Sequence, residues 1–133
     1  MAKKQIATFL GPNPGLVITG EHCYAYNTAP ASETPSNILE FTTGKQYIVG
    51  TIQLNANVKA SDPASGAITT LAVTFNGTTI FILKATASDD KAPSTAICDI
   101  IIPPLTSVVA SIDSSSNTAT YIGSAVLVGR VYA

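Results

Sequence analysis

Charge is what this chain has least of: Lys and Arg number 7, Asp and Glu 8, and charged residues make up only 11% of the 133 positions. So thin a charge distribution gives no basic patch able to hold nucleic acid and no field to draw the protein to an anionic membrane. Tryptophan is absent, and a single histidine, His22, stands among the metal-binding residue types. The two cysteines, Cys23 and Cys98, are far apart in the chain and follow no metal-type spacing. One His with two distant Cys and scattered carboxylates does not make the three- or four-ligand set a metal site needs. No apolar run approaches the roughly 18 residues of a membrane-crossing helix, and the lysines at Lys3 and Lys4 are followed by Gly11-Pro12-Asn13-Pro14 rather than by a signal-type apolar stretch. No helical period is convincing anywhere, which leaves strands.

What the chain does have is alternation and turns. From Ile48 to Val58 every second residue is apolar or small, with Tyr47, Val49, Thr51, Gln53, Asn55 and Asn57 between, the period of a half-buried strand. Asn76-Gly77 separates two β-rich runs and predicts a type I′ hairpin, because that turn needs positive φ at both central residues. Its expected register sets Phe75 opposite Thr78, Val73 opposite Ile80 and Leu71 opposite Ile82. Asn76-Gly77-Thr78 also matches a glycosylation triplet, but the turn accounts for all three residues.

Further strands are expected at 5–10, 16–26, 38–42, 95–102, 105–112 and 119–132, with a surface loop over 28–37 that has room for single helical turns near Ala31 to Leu39. Gly20 reads as a bulge or a close backbone approach within the 16–26 strand. Eight or nine strands separated by short turn clusters predict an all-β protein. The expected architecture is an antiparallel β-sandwich, a jelly roll first, with an immunoglobulin-like sandwich second because the Trp that marks that fold is missing. The organisation expected is an N-terminal arm over 1–15 and one sandwich domain over 16–133.

Candidate chemistry is sparse. His22 and Cys23 are neighbours on a strand and point to opposite faces, so they do not form a nucleophile pair. Asp62, Asp89 and Asp90 lie in turn clusters and read as turn residues that bond their own backbone rather than as a calcium site. Tyr24 and Tyr26 offer a sugar-binding platform, yet they share strand parity with Ile18, which favours core or interface packing. No catalytic residue, cofactor or metal ligand is expected, and the chain reads as a non-enzyme. The apolar surplus falls on Ile80-Phe81-Ile82-Leu83, apolar on both sides, so Phe81 and Leu83 on its second face call for a cover: the N-terminal segment, the 28–37 loop or another subunit. Val126 and Val128 on the outer side of the last strand repeat the pattern.

The stretch Cys98-Asp99-Ile100-Ile101-Ile102-Pro103-Pro104-Leu105 through Val128-Gly129-Arg130-Val131-Tyr132, with the long strand at Gln46 to Val58, resembles the small jelly-roll decoration or cement proteins of tailed bacteriophage capsids. The resemblance is one of style over about the last ninety residues: low charge, richness in Ala, Thr and Ser, and no chemical site. It implies a virion protein assembled in the host cytoplasm, bound as a homotrimer to the outer capsid surface, with the major capsid protein as partner and no role for nucleic acid or membrane. It also implies that the Gly/Pro-hinged arm carries capsid contacts, with Ile6, Phe9 and Leu10 joining Phe81, Leu83, Val126 and Val128 as interface candidates. The alternative is a carbohydrate- or receptor-binding sandwich module of a head fibre or tail adhesin.

Overall fold

A computed structural model of the chain describes residues 5–6, 16–57, 68–86, 94–115 and 122–133. Ten strands make up all its regular structure among these: β1 (Gln5–Ile6), β2 (Val17–Thr19), β3 (His22–Pro30), β4 (Ser36–Thr42), β5 (Tyr47–Asn57), β6 (Ile68–Phe75), β7 (Thr78–Thr86), β8 (Ser94–Ile102), β9 (Ser107–Ser114) and β10 (Ile122–Tyr132). They form a six-stranded sheet in the order β1-β2-β3-β10-β5-β8 and a four-stranded sheet in the order β4-β9-β6-β7.

The pairing is nested. β6 pairs with β7, β5 with β8, β4 with β9 and β3 with β10, all antiparallel. The chain is thus one long hairpin whose successive segments fall alternately in the two sheets, and the lateral pairs β10 with β5 and β9 with β6 lock the roll. This strand order makes the fold a jelly roll, with β1 and β2 added at the β3 edge. The Asn76-Gly77 turn is the tip of that hairpin. Asn76 (φ 50°) and Gly77 (φ 83°) both take the left-handed conformation that a type I′ turn requires. Asn76 also reaches the next strand, since its Oδ1 accepts from Ser107 N at 2.8 Å and its N–H donates to Ser107 O at 2.8 Å.

Between the sheets lie Cys23, Ala25, Ile48, Ile52, Leu54, Ala56, Ala125 and Leu127 from one side and Leu39, Phe41, Leu71, Val73, Val108, Ala110 and Ile112 from the other, all buried. The alternation expected from Ile48 to Ala56 is the one observed. Gly123 has a packing role here, because a Cβ on it would stand 2.3 Å from Ile112 Cδ1 across the sandwich. At one end, Thr43 ties two loops together: its N–H donates to Thr106 O at 2.9 Å, and its hydroxyl donates to Pro103 O and accepts from Thr106 N, both at 2.8 Å.

Four local expectations are corrected. The 16–26 strand is two strands, because Gly20 (φ 64°) and Glu21 form a two-residue turn that sets Thr19 opposite His22. Positive φ at the first central residue is the type II′ signature, so Gly20 reverses the chain instead of bulging it. The hairpin register holds at Phe75–Thr78 but shifts at an irregularity beside Val73 and Thr74, beyond which Val73 faces Phe81 and Leu71 faces Leu83. The 28–37 loop shrinks to 31–35, because β3 runs on to Pro30 and β4 starts at Ser36. The helical turns expected between Ala31 and Leu39 do not form: Ser36 to Thr42 pairs with β9 as a strand, bulged between Asn37 and Leu39 so that Ile38 and Leu39 are both buried.

Candidate functional site

The shift beside Val73 inverts the face assigned to each residue of β7 after it, since side chains alternate with a period of two. Phe81 and Leu83, expected to stand outside, are half-buried against the core. Ile80 and Ile82 are the exposed pair. Parity also inverts after the Gly20-Glu21 turn: Ile18 pairs with Cys23 and packs inward, while Tyr24 and Tyr26 face solvent. Val126 and Val128 do lie on the outer side of β10, the first half-buried and the second exposed. Of the arm candidates, Ile6 is placed by its backbone, paired with Val17, and Phe9 and Leu10 lie outside the described residues.

These inversions move the apolar surplus to the outer face of the six-stranded sheet. Reading across β3, β10, β5 and β8, one row is Tyr24, Val128, Thr51 and Asp99, and the next is Tyr26, Val126, Gln53 and Ile97. Val49 and Ile101 extend it on the side of His22 and Arg130. Relative exposure reaches 65% at Tyr26, 62% at Ile97 and Ile101, and 58% at Val128, so these large apolar side chains stand in water rather than at a core margin. Single exposed apolar residues are ordinary, but adjoining ones along several cross-strand rows are not. The six strands of this sheet carry only two charged side chains, Asp99 and Arg130. Arg130 pairs with Glu21 of the β2–β3 turn at 2.6 Å, at the rim.

Polar order on this face is local. Thr51 Oγ1 donates to Asp99 Oδ1 at 2.9 Å. Asn55 accepts from Thr95 Oγ1 at 2.9 Å and from Gln53 Nε2 at 3.0 Å, and donates to Ser124 Oγ at 3.0 Å. These side chains therefore spend their bonds on one another. A shallow, open depression lined by Val49, Gly50, Thr51, Asp99, Ile100 and Ile101 lies at the β8 side. The rings of Tyr24 and Tyr26 stack on each other, centroids 6.3 Å apart and planes inclined by 26°. Tyr47 and Tyr132 do the same at the far end of β5 and β10, 5.4 Å apart at 18°.

Among the described residues, reactive groups do not converge. His22 is exposed while Cys23 is buried beneath it, and burial pushes the Cys23 thiol up to about 11, with a backbone hydrogen bond from Gly129 opposing the shift. Cys23 and Cys98 are both free thiols. Among the described residues, no group of three or more His, Cys, Asp and Glu side chains is placed to hold a metal ion. Among them, too, no helix is long and apolar enough to cross a membrane.

No family model and no curated protein matches the sequence. Solved structures do match in shape. A chain from the structure of infectious bursal disease virus Gx strain superposes over 96% of this chain and 37% of its own, with 13% identity and a TM-score of 0.48. One from the subviral particle of the same virus covers 86% and 35%, with 11% identity and a TM-score of 0.43. A carbohydrate binding module from Cellvibrio mixtus lichenase 5A, in complex with cellotriose, covers 97% and 86%, with 10% identity and a TM-score of 0.32. The present chain thus spans little more than a third of the viral chains it matches. The jelly-roll assignment rests on the strand order, not on these superpositions.

Proposed function

We propose that this chain is a structural, non-enzymatic virion protein, a jelly-roll subunit that seats the outer face of its six-stranded sheet on a capsid surface and stabilises the shell. The observation that carries this is the exposed apolar stripe through Tyr24, Tyr26, Val128, Ile97 and Ile101 on strands with only two charges. A face of this kind is cheap to desolvate, and aromatic and aliphatic anchors ringed by already bonded polar groups are what protein contacts use. On this reading the protein sits on the capsid exterior after assembly in the host cytoplasm, with the major capsid protein as partner and a homotrimer as the arrangement the decoration-protein resemblance implies.

The stacked Tyr24 and Tyr26 favour a second reading, carbohydrate binding, since exposed tyrosine rings present flat surfaces to sugars. Their neighbours on β10 are Val128 and Val126, however, not the hydrogen-bonding groups that orient a sugar's hydroxyls. Co-sedimentation with empty capsids of the virus that encodes the chain, beside a glycan array, separates the two. The double variant Tyr26→Ser with Val128→Ser, at exposed positions, is expected to keep its fold and lose at least ten-fold in capsid affinity. Glycan binding without capsid binding would overturn the assignment.

A further inference from the structure

Sheet edges are hazards that proteins usually blunt with short strands, lysines, prolines or bulges. Two described edges are treated in that way: β4 is bulged between Asn37 and Leu39 and carries Glu40, and β7 carries Lys84 and an irregular register with β6. β8 is not. It runs for 9 residues without proline, lysine or arginine and pairs with β5 from Ile48–Ile102 to Ala56–Ser94 without a register shift. No described strand pairs with its other side. In an antiparallel ladder every second residue turns its N–H and C=O away from its partner, so β8 offers a regular row of donors and acceptors to a further strand.

We propose that this edge is a homodimer contact, in which β8 of one copy pairs antiparallel with β8 of a second copy about a two-fold axis at Cys98. The sequence of β8 selects both occupant and register. Cys98 is the midpoint of the described strand Ser94–Ile102, so an axis there pairs every described residue of β8. Asp99 is the only charge on β8, and this register sets it opposite Ile97 of the second copy. An axis at Asp99 would oppose two aspartates, and an axis at Ile97 would leave Ile101 and Ile102 without a partner among the described residues of β8. Two six-stranded sheets then become one, and the outer stripe runs on across the joint through Ile97 and Ile101. A two-fold contact is self-complementary, which an unbulged antiparallel edge satisfies on its own.

This inference goes beyond the assembly reading: it sets a two-fold self-contact, on the edge of the sheet rather than on its face, in place of the homotrimer that the resemblance implies. It also makes Cys98 a reporter. Opposed Cα atoms in antiparallel strands are about 4.5 to 5.5 Å apart, within the roughly 4.4 to 6.8 Å that a disulfide spans. The test treats the full chain with diamide, which takes up two electrons and two protons as two thiols become a disulfide. Light scattering over a dilution series follows the reversible dimer. Wild type and Cys23→Ser are expected to give a covalent dimer, and Cys98→Ser none. Ile97→Asp, which opposes like charges twice per dimer, is expected to weaken the reversible dimer about ten-fold. Ile97→Lys, which opposes unlike charges, is expected to preserve it. A mass of one chain or of three at every concentration, an oligomer that does not cross-link through Cys98, or a monomer that takes up only a foreign extended peptide at this edge would each overturn the proposal. Its failure leaves capsid co-sedimentation standing, and Tyr26→Ser with Val128→Ser removes capsid binding while the Cys98 cross-link persists.

Discussion

Asn76→Ala probes the point from which the whole roll is wound. Asn76 sits at φ 50°, where a side chain with an ordinary Cβ costs roughly 1 to 2 kcal/mol and asparagine is among the few residues that tolerate it. The substitution also deletes the Oδ1 acceptor of Ser107 N, a 2.8 Å bond at an exposed site, where water recovers part of the loss and the net value is about 0.5 kcal/mol. The two contributions come to about 2 kcal/mol, a fall of about 1 M in the urea midpoint with the slope unchanged. Asn76→Gly separates them. It keeps the left-handed backbone and loses only the bond, so its cost is expected to stay below about 1 kcal/mol. Urea unfolding followed by circular dichroism measures both. Asn76→Ala within about 0.3 kcal/mol of wild type would refute the turn assignment, and equal losses in the two variants would show that the bond, not the backbone, carries the effect.

Gly123→Ala places a methyl group against Ile112 Cδ1 and Leu71 Cδ2. It is expected to destabilise by about 1 to 3 kcal/mol, and Ile112→Val in the same chain should recover part of that, a coupling that a double-mutant cycle reads directly. The Cys23 thiol, raised to about 11 by burial, holds its proton in the fold at a pH where the unfolded chain loses it. Its contribution is therefore complete below the ordinary thiol value of about 9 and declines as pH rises toward 11. Cys23→Ala should flatten the fall in unfolding free energy over that window.

Strand content and most of the core were legible because they depend on local alternation. The buried set on β5 and the inward Val108, Ala110 and Ile112 on β9 follow from a period of two that nothing interrupts. The errors share one cause. Ile80 is as good a strand residue as its neighbours, and nothing local marks the register shift beside it, yet that shift turns Phe81 and Leu83 inward. Gly20 was visible, but an uninterrupted strand and a reversal predict opposite parity for Tyr24 and Tyr26 relative to Ile18, and the pairing of β2 with β3 decides between them. Nested pairing over the length of the chain is non-local, so strand spacing could point to a jelly roll without specifying which strands adjoin.

Parity also decides where function is sought. With Phe81 and Leu83 outside, the apolar surplus would lie on the edge strand of the four-stranded sheet. With them inside, that sheet's outer surface is left with small and polar residues such as Thr70, Ala72, Thr74 and Ser111 around Ile68, Ile80, Ile82 and the half-buried Val109. The six-stranded sheet then holds the larger exposed set, from Tyr24 and Tyr26 across Val128 to Ile97 and Ile101. Scarcity of charge, visible from the start, takes on a location: Asp99 and Arg130 are all that these strands carry, one bonded to Thr51 and the other to Glu21. An apolar face with so few charges, each already bonded to a neighbour, gives little steering and little repulsion. Association through it should therefore depend weakly on salt and strongly on the aromatic and aliphatic anchors, the reverse of an electrostatically guided contact.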